Sequence, residues 1–216
     1  MSLVEKYALL PEEIDEKSLA MVEASLPATL DLGEDERFVM CRIVRAEGDP
    51  QIADFVRFSP GALDRGLDAL KSGAKILTDV RMVEVGISKA LLATRGIGTD
   101  CRIDTAEVAA RAKREQTTRS VAAIRELGSQ LEGAVVAIGN APTALLALLD
   151  LVAGGGPQPA LVIGMPVGFV ACAESKEELE RSQVPFITVR GRRGGSSAAA
   201  ATVNALLILA GEQAAT

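Results

Sequence analysis

VVAIGNAPTA (residues 135–144), LVIGMPVGFV (161–170) and FITVRGRRGGSSAAAA (186–201) each run a short apolar stretch into a glycine-containing elbow. Apolar, β-branched runs of this length read as buried strands, and the residues beyond each elbow carry a helical pattern. The expected strands are 134–138, 160–164 and 185–189, followed by helices at 142–152, 175–181 and 196–209. Strands alternating with helices at this spacing form βαβ units, so the chain reads as an α/β protein with a mostly parallel sheet and helices on both faces. In such a sheet the elbows align at one edge, where ligands bind.

Working outward, KILTDV (75–80) is a further strand that places Asp79 at its end. Helices are expected at 11–23 and 35–45, at a segment opened by Pro60 and closed by Gly73, and at 115–131 with Thr117 or Thr118 near its start. No internal repeat or linker divides the chain, and 1–216 reads as one domain.

Composition excludes several classes. The chain has no histidine among 216 residues, which removes the commonest acid–base group at neutral pH and the commonest metal ligand. A net charge of −6 with 3% aromatic residues lacks both the basic face and the stacking platforms that nucleic acids require. Cys41, Cys101 and Cys172 have no metal-type spacing and read as reduced thiols. The acidic N-terminal segment does not resemble a signal peptide, and the apolar run at 198–210 is shorter than the roughly 20 residues of a membrane span and contains Thr202 and Asn204. A cytoplasmic protein without a membrane segment is expected.

Two elbows carry chemistry. In Gly139-Asn140-Ala141-Pro142-Thr143 the glycine permits a tight strand-to-helix turn, Asn140 is a capping residue and Pro142 suits a first helical turn. The same amides form an anion site when a carboxylate or phosphate faces them, and the residues fit both readings equally. Arg190-Gly191-Arg192-Arg193-Gly194-Gly195-Ser196-Ser197 places three guanidinium groups beside glycine amides in an otherwise acidic protein. An anionic ligand is the preferred reading, with a solvated basic loop as the alternative. Neither a GxxxxGK[ST] loop nor a GxGxxG strand end is present.

The segments ILTDVRMVEVGI (76–87), GNAPTAL (139–145), GMPVGFV (164–170), AESKEEL (173–179) and RGRRGGS (190–196), with RFSPGAL (57–63), resemble the precorrin-8X and cobalt-precorrin-8 methylmutase family of cobalamin biosynthesis. The likeness extends over nearly the whole chain. It implies an isomerase that moves a methyl group from ring carbon 11 to ring carbon 12 of a contracted tetrapyrrole, giving hydrogenobyrinate or cobyrinate. It also implies a corrinoid substrate, a homodimer with sites near the subunit interface, no cofactor and no protein-bound metal.

On that resemblance Arg190, Arg192, Arg193, Gly194, Gly195, Ser196 and the 139–143 elbow meet the acetate and propionate arms, while the apolar elbow Met165-Pro166-Val167-Gly168-Phe169 lies on the macrocycle face. Ser18 and Thr118-Arg119-Ser120 match substrate-contacting positions of the family. Asp79 and Glu174 are candidate proton sources at strand ends. The family's histidine, expected to protonate or hydrogen-bond a ring nitrogen, corresponds here to Arg45 in Arg42-Ile43-Val44-Arg45. Arginine keeps its proton at ordinary pH, so Arg45 fits charge stabilisation or hydrogen bonding and not proton donation. Two alternatives stand beside the enzyme: a protein that binds or transfers a corrinoid without rearranging it, and an unrelated anion-binding α/β protein.

Overall fold

The computed structural model describes residues 11–27 and 30–212. Six strands form one sheet: Val56–Phe58 (β1), Ile76–Thr78 (β2), Thr99–Cys101 (β3), Val135–Ile138 (β4), Leu161–Gly164 (β5) and Phe186–Val189 (β6). Their spatial order is β1-β6-β5-β4-β2-β3, with only β1 antiparallel to its neighbour. Every residue of β2, β4, β5 and β6 is buried, as both-face coverage of a parallel sheet requires.

Ten α-helices lie among the described residues: Pro11–Ser25 (α1), Glu34–Glu47 (α2), Ala62–Lys71 (α3), Arg81–Gly86 (α4), Lys89–Arg95 (α5), Ala106–Arg114 (α6), Arg119–Leu127 (α7), Pro142–Ala153 (α8), Cys172–Arg181 (α9) and Ser196–Glu212 (α10). One core joins Ile76, Val135, Ala137, Ile163 and Ile187 of the sheet to α2, α3 and the alanine-rich α10. The other packs Leu77, Val136, Ile138 and Val162 against α7, α8 and Leu179 of α9. The architecture is therefore a three-layer α/β/α sandwich, as the alternation predicts. None of the described helices is long and apolar enough to cross a membrane.

Several elements differ from the sequence reading. β1 and β3 have only three residues each, too short to show a period, and depend on pairing with β6 and β2. The helix expected at 115–131 is interrupted. Glu115 caps the end of α6, Gln116 takes a positive φ of 50°, and Thr118 restarts the chain as the N-cap of α7 by accepting from the Val121 amide at 3.2 Å. Residues 128–131 then tighten into a 3₁₀ turn. Pro60 lies in the turn before α3, which begins at Ala62 after Gly61 at φ +68°.

The path between strands reverses at β2 and β4. From β2 the chain moves outward to β3, then returns to β4 and proceeds the other way through β5 to β6. The carboxyl ends of β2 and β4 thus form a topological switch point, the usual crevice for ligands in open α/β sheets.

Candidate active site

At that switch point the crevice is filled by the protein itself. Asp79, directly after β2, is 1% exposed and accepts from the amides of Gly139 (3.0 Å), Asn140 (3.0 Å) and Ala141 (2.9 Å). Burial pushes its carboxyl above the usual carboxylate range, and the three amide bonds partly offset that. The anion that the 139–143 elbow can hold is therefore an internal one. Asp79 is walled off from a ligand as proton source, while Asn140 remains exposed and Pro142 and Thr143 half-buried.

The next two elbows are laced together. The Gly195 amide donates to the Met165 carbonyl at 2.8 Å, and the Gly168 amide to the Arg192 carbonyl at 3.4 Å. Gly194 has φ +121°, and a Cβ there would stand 2.8 Å from the Met165 carbonyl oxygen. Gly194→Ala therefore combines backbone strain with a clash and should destabilise the protein by about 2–3 kcal/mol, measured by thermal unfolding. An unchanged melting curve would show that this approach is not tight.

Side chains on the laced loops divide sharply. Met165 is buried, with the Thr202 hydroxyl 3.7 Å from its sulfur, and Pro166 is buried as well. Both were expected on the ligand face, but the chain turns inward until Val167. Beyond it Val167, Phe169 and Val170 are exposed, Phe169 by 81%. The Arg192 guanidinium stands 5.3 Å over the Phe169 ring, within cation–π range. Arg193 pairs with Asp49 and lies 5.9 Å from the Phe55 ring. Arg190 turns away to a two-pronged ion pair with Glu180 of α9, and thus leaves the cluster that the sequence grouped it with.

Because β1 is antiparallel to β6, the end of α2 is brought to the same edge of the sheet. The Ser197 hydroxyl donates to the Ala46 carbonyl at 3.4 Å. Between α1 and α2 opens a groove of about 620 Å³ lined by Ile14, Lys17, Ser18, Met21, Arg45 and Pro50, among others. Ser18 and Arg45, far apart in sequence, meet there. Arg45 also pairs with Asp15 of α1, whose other oxygen lies 3.7 Å from Arg42. A second groove of about 420 Å³, lined in part by Ala46, Met82, Ser196 and Ser197, lies along the other flank of the α2 end.

The sequence profile of the precorrin-8X methylmutase family matches residues 13–209. The chain belongs to that family. A precorrin-8X methylmutase of Pseudomonas aeruginosa is 47% identical over 187 residues, covering 85% of this chain and 86% of that protein. A cobalt-precorrin-8 methylmutase of Priestia megaterium is 41% identical over 204 residues, with 93% and 88% covered. The crystal structure of a precorrin-8X methylmutase from Thermus thermophilus superposes with a TM-score of 0.87 at 39% identity, covering 94% of this chain and 97% of that one.

Within this methylmutase-family fold the other expected contacts spread along the same sheet edge. The Thr118 hydroxyl lies 3.4 Å from that of Thr143, tying the start of α7 to the start of α8. Arg119 and Glu174 are exposed and Ser120 is half-buried. The cysteines are free and buried, and burial raises each thiol, that of Cys41 to about 12, which suits packing and not nucleophilic attack. Sequence reasoning missed Asp15 and Asp49. The two acids become part of the site only through pairs 30 and 144 residues apart, which no local pattern reveals.

Proposed function

We propose that this chain is a precorrin-8X methylmutase, the isomerase of cobalamin biosynthesis that moves a methyl group from ring carbon 11 to ring carbon 12 of precorrin-8X or its cobalt form. One observation carries the reading. Cations (Arg45, Arg192, Arg193) and exposed apolar side chains (Val167, Phe169, Val170) gather at the carboxyl edge of the sheet in a chain matched by the family profile over 13–209. A flat, apolar macrocycle bearing carboxylate arms calls for that combination.

The migration is intramolecular, so the protein need supply neither nucleophile nor cofactor. Its work is to hold the ring in a reactive geometry and to stabilise charge that develops on the ring nitrogens. In this reading Arg192 and Arg193 meet carboxylate arms, and Val167 and Phe169 support a ring face. Ser18 and Arg45 face the reacting region from the α1–α2 groove, where Arg45 supplies a fixed positive charge. Assembly as a homodimer, which the resemblance implies, would cover Phe169 and Val170, and three reduced thiols suit the cytoplasm.

The test is incubation of purified protein with precorrin-8X and, separately, its cobalt form, followed by absorption spectrum and product mass. An isomer of unchanged mass and altered spectrum, formed over many turnovers, is the expected result. Binding of both forms without conversion would instead establish a corrinoid carrier.

A further inference from the structure

One charged group near the site is explained by neither the sequence reading nor the reaction. Lys176 of α9 is 1% exposed, and among the described residues no carboxylate lies within ion-pair distance of it. An unpaired buried ammonium is strongly unfavourable unless its donors are satisfied. Here its Nζ donates to the carbonyls of Gly191 (3.1 Å) and Arg193 (2.5 Å).

Those bonds complete a pattern. The Gly191 carbonyl also accepts from the Cys172 thiol at 3.6 Å, and the intervening Arg192 carbonyl accepts from the Gly168 amide. Three successive carbonyls are thereby drawn toward the body of the protein. The side chains of Arg192 and Arg193 are left over Phe169 and beside Asp49. Loops rich in glycine do not hold such an arrangement by backbone preference alone.

We propose that Lys176 is a positioning residue for substrate binding, whose buried ammonium clamps the Gly191 and Arg193 carbonyls and so fixes the two guanidinium groups that receive substrate carboxylates. This rests on the reading of the 190–196 loop as part of the methylmutase site. The titratable groups facing Lys176 are Cys172 on its own helix and Glu47 at the end of α2, which the Arg193 guanidinium also acts on, with Glu177, Glu180 and Arg190 lining the groove outside. Burial lowers the Lys176 ammonium to about 8. Protonated, it makes charge-assisted bonds to both carbonyls; above that pH the amine is neutral and its bonds weaken, so the clamp loosens as pH rises.

Two full-length variants test this, Lys176→Met and Lys176→Arg. Loss of charged hydrogen bonds of this kind should raise KM for the corrinoid about tenfold or more in Lys176→Met, with kcat within about threefold. Tryptic cleavage after Arg192 or Arg193, read by mass, should accelerate by about tenfold. Lys176→Arg, charged at every pH used, should restore most of the affinity and remove the rise in KM expected of the unaltered protein above about pH 8. An unchanged KM and cleavage rate in folded Lys176→Met would overturn the proposal. Should that variant not fold, Lys176→Gln takes its place with the same expectations, and an unchanged KM and cleavage rate there would overturn the proposal equally. If the unaltered protein neither binds nor converts the corrinoid, the functional reading fails by itself, while proteolysis still decides whether Lys176 holds the loop.

Discussion

Asp79→Ala is expected to lower the midpoint of thermal unfolding by roughly 10 °C, from a loss of about 3–5 kcal/mol. The carboxylate is the single acceptor for three successive amides at the switch point, those of Gly139, Asn140 and Ala141. The Gly139 and Ala141 bonds are buried, so their donors would be left without a partner at about 1–3 kcal/mol each. Asn140 is exposed, and water can replace its bond. Asp79→Asn keeps one carbonyl oxygen as acceptor and should lose about half as much. The elbow has little room to adjust, because a Cβ at Gly139 would stand 2.8 Å from the Ser196 Cα and 2.7 Å from a Val83 methyl. A shift below about 2 °C for Asp79→Ala would mean that the amides find other acceptors.

The largest expected effect on turnover is at Arg45. Arg45→Ala should lower kcat by about 100-fold to 1000-fold, the range for removing one fixed donor aimed at developing charge. Stability should barely change, since the pair with Asp15 is half-exposed and such pairs contribute little. Arg45→His is the informative companion. An imidazole titrates near neutrality and donates a proton where a guanidinium does not, so this variant should turn over at least as fast as the unaltered protein. Its rate should also fall as pH rises past about 6.5, a dependence that Arg45 itself does not confer. Turnover of Arg45→Ala within about threefold of the unaltered protein would remove Arg45 from the chemistry and leave it as a link between α1 and α2.

Both positions show how function was distributed between local and distant information. Arg45 stands out in sequence because, on the resemblance, the RIVR segment takes the place of a histidine motif of the family, and Asp79 because it ends a strand. Neither observation predicts what each touches. Asp79 is read from sequence as a possible proton source, yet the fold turns it into an internal anion for the elbow that the sequence left open between capping and ligand binding. Arg190 likewise joins two other arginines in sequence but pairs with Glu180 in the structure.

The sequence by itself determined four strands of the sheet, their parallel sense and the three elbows, because short apolar runs followed by glycine leave few ways to bury a strand and start a helix, and its separated motifs determined the family. Only the tertiary structure decided the antiparallel β1, the break after α6, the meeting of Ser18 with Arg45 and the clamp of Lys176 on the arginine loop. The strand pairing and the Ser18–Arg45 meeting join residues tens of positions apart, the clamp joins two elements 15 and 17 residues apart, and a buried charge or a three-residue strand has no stable form until such partners are in place.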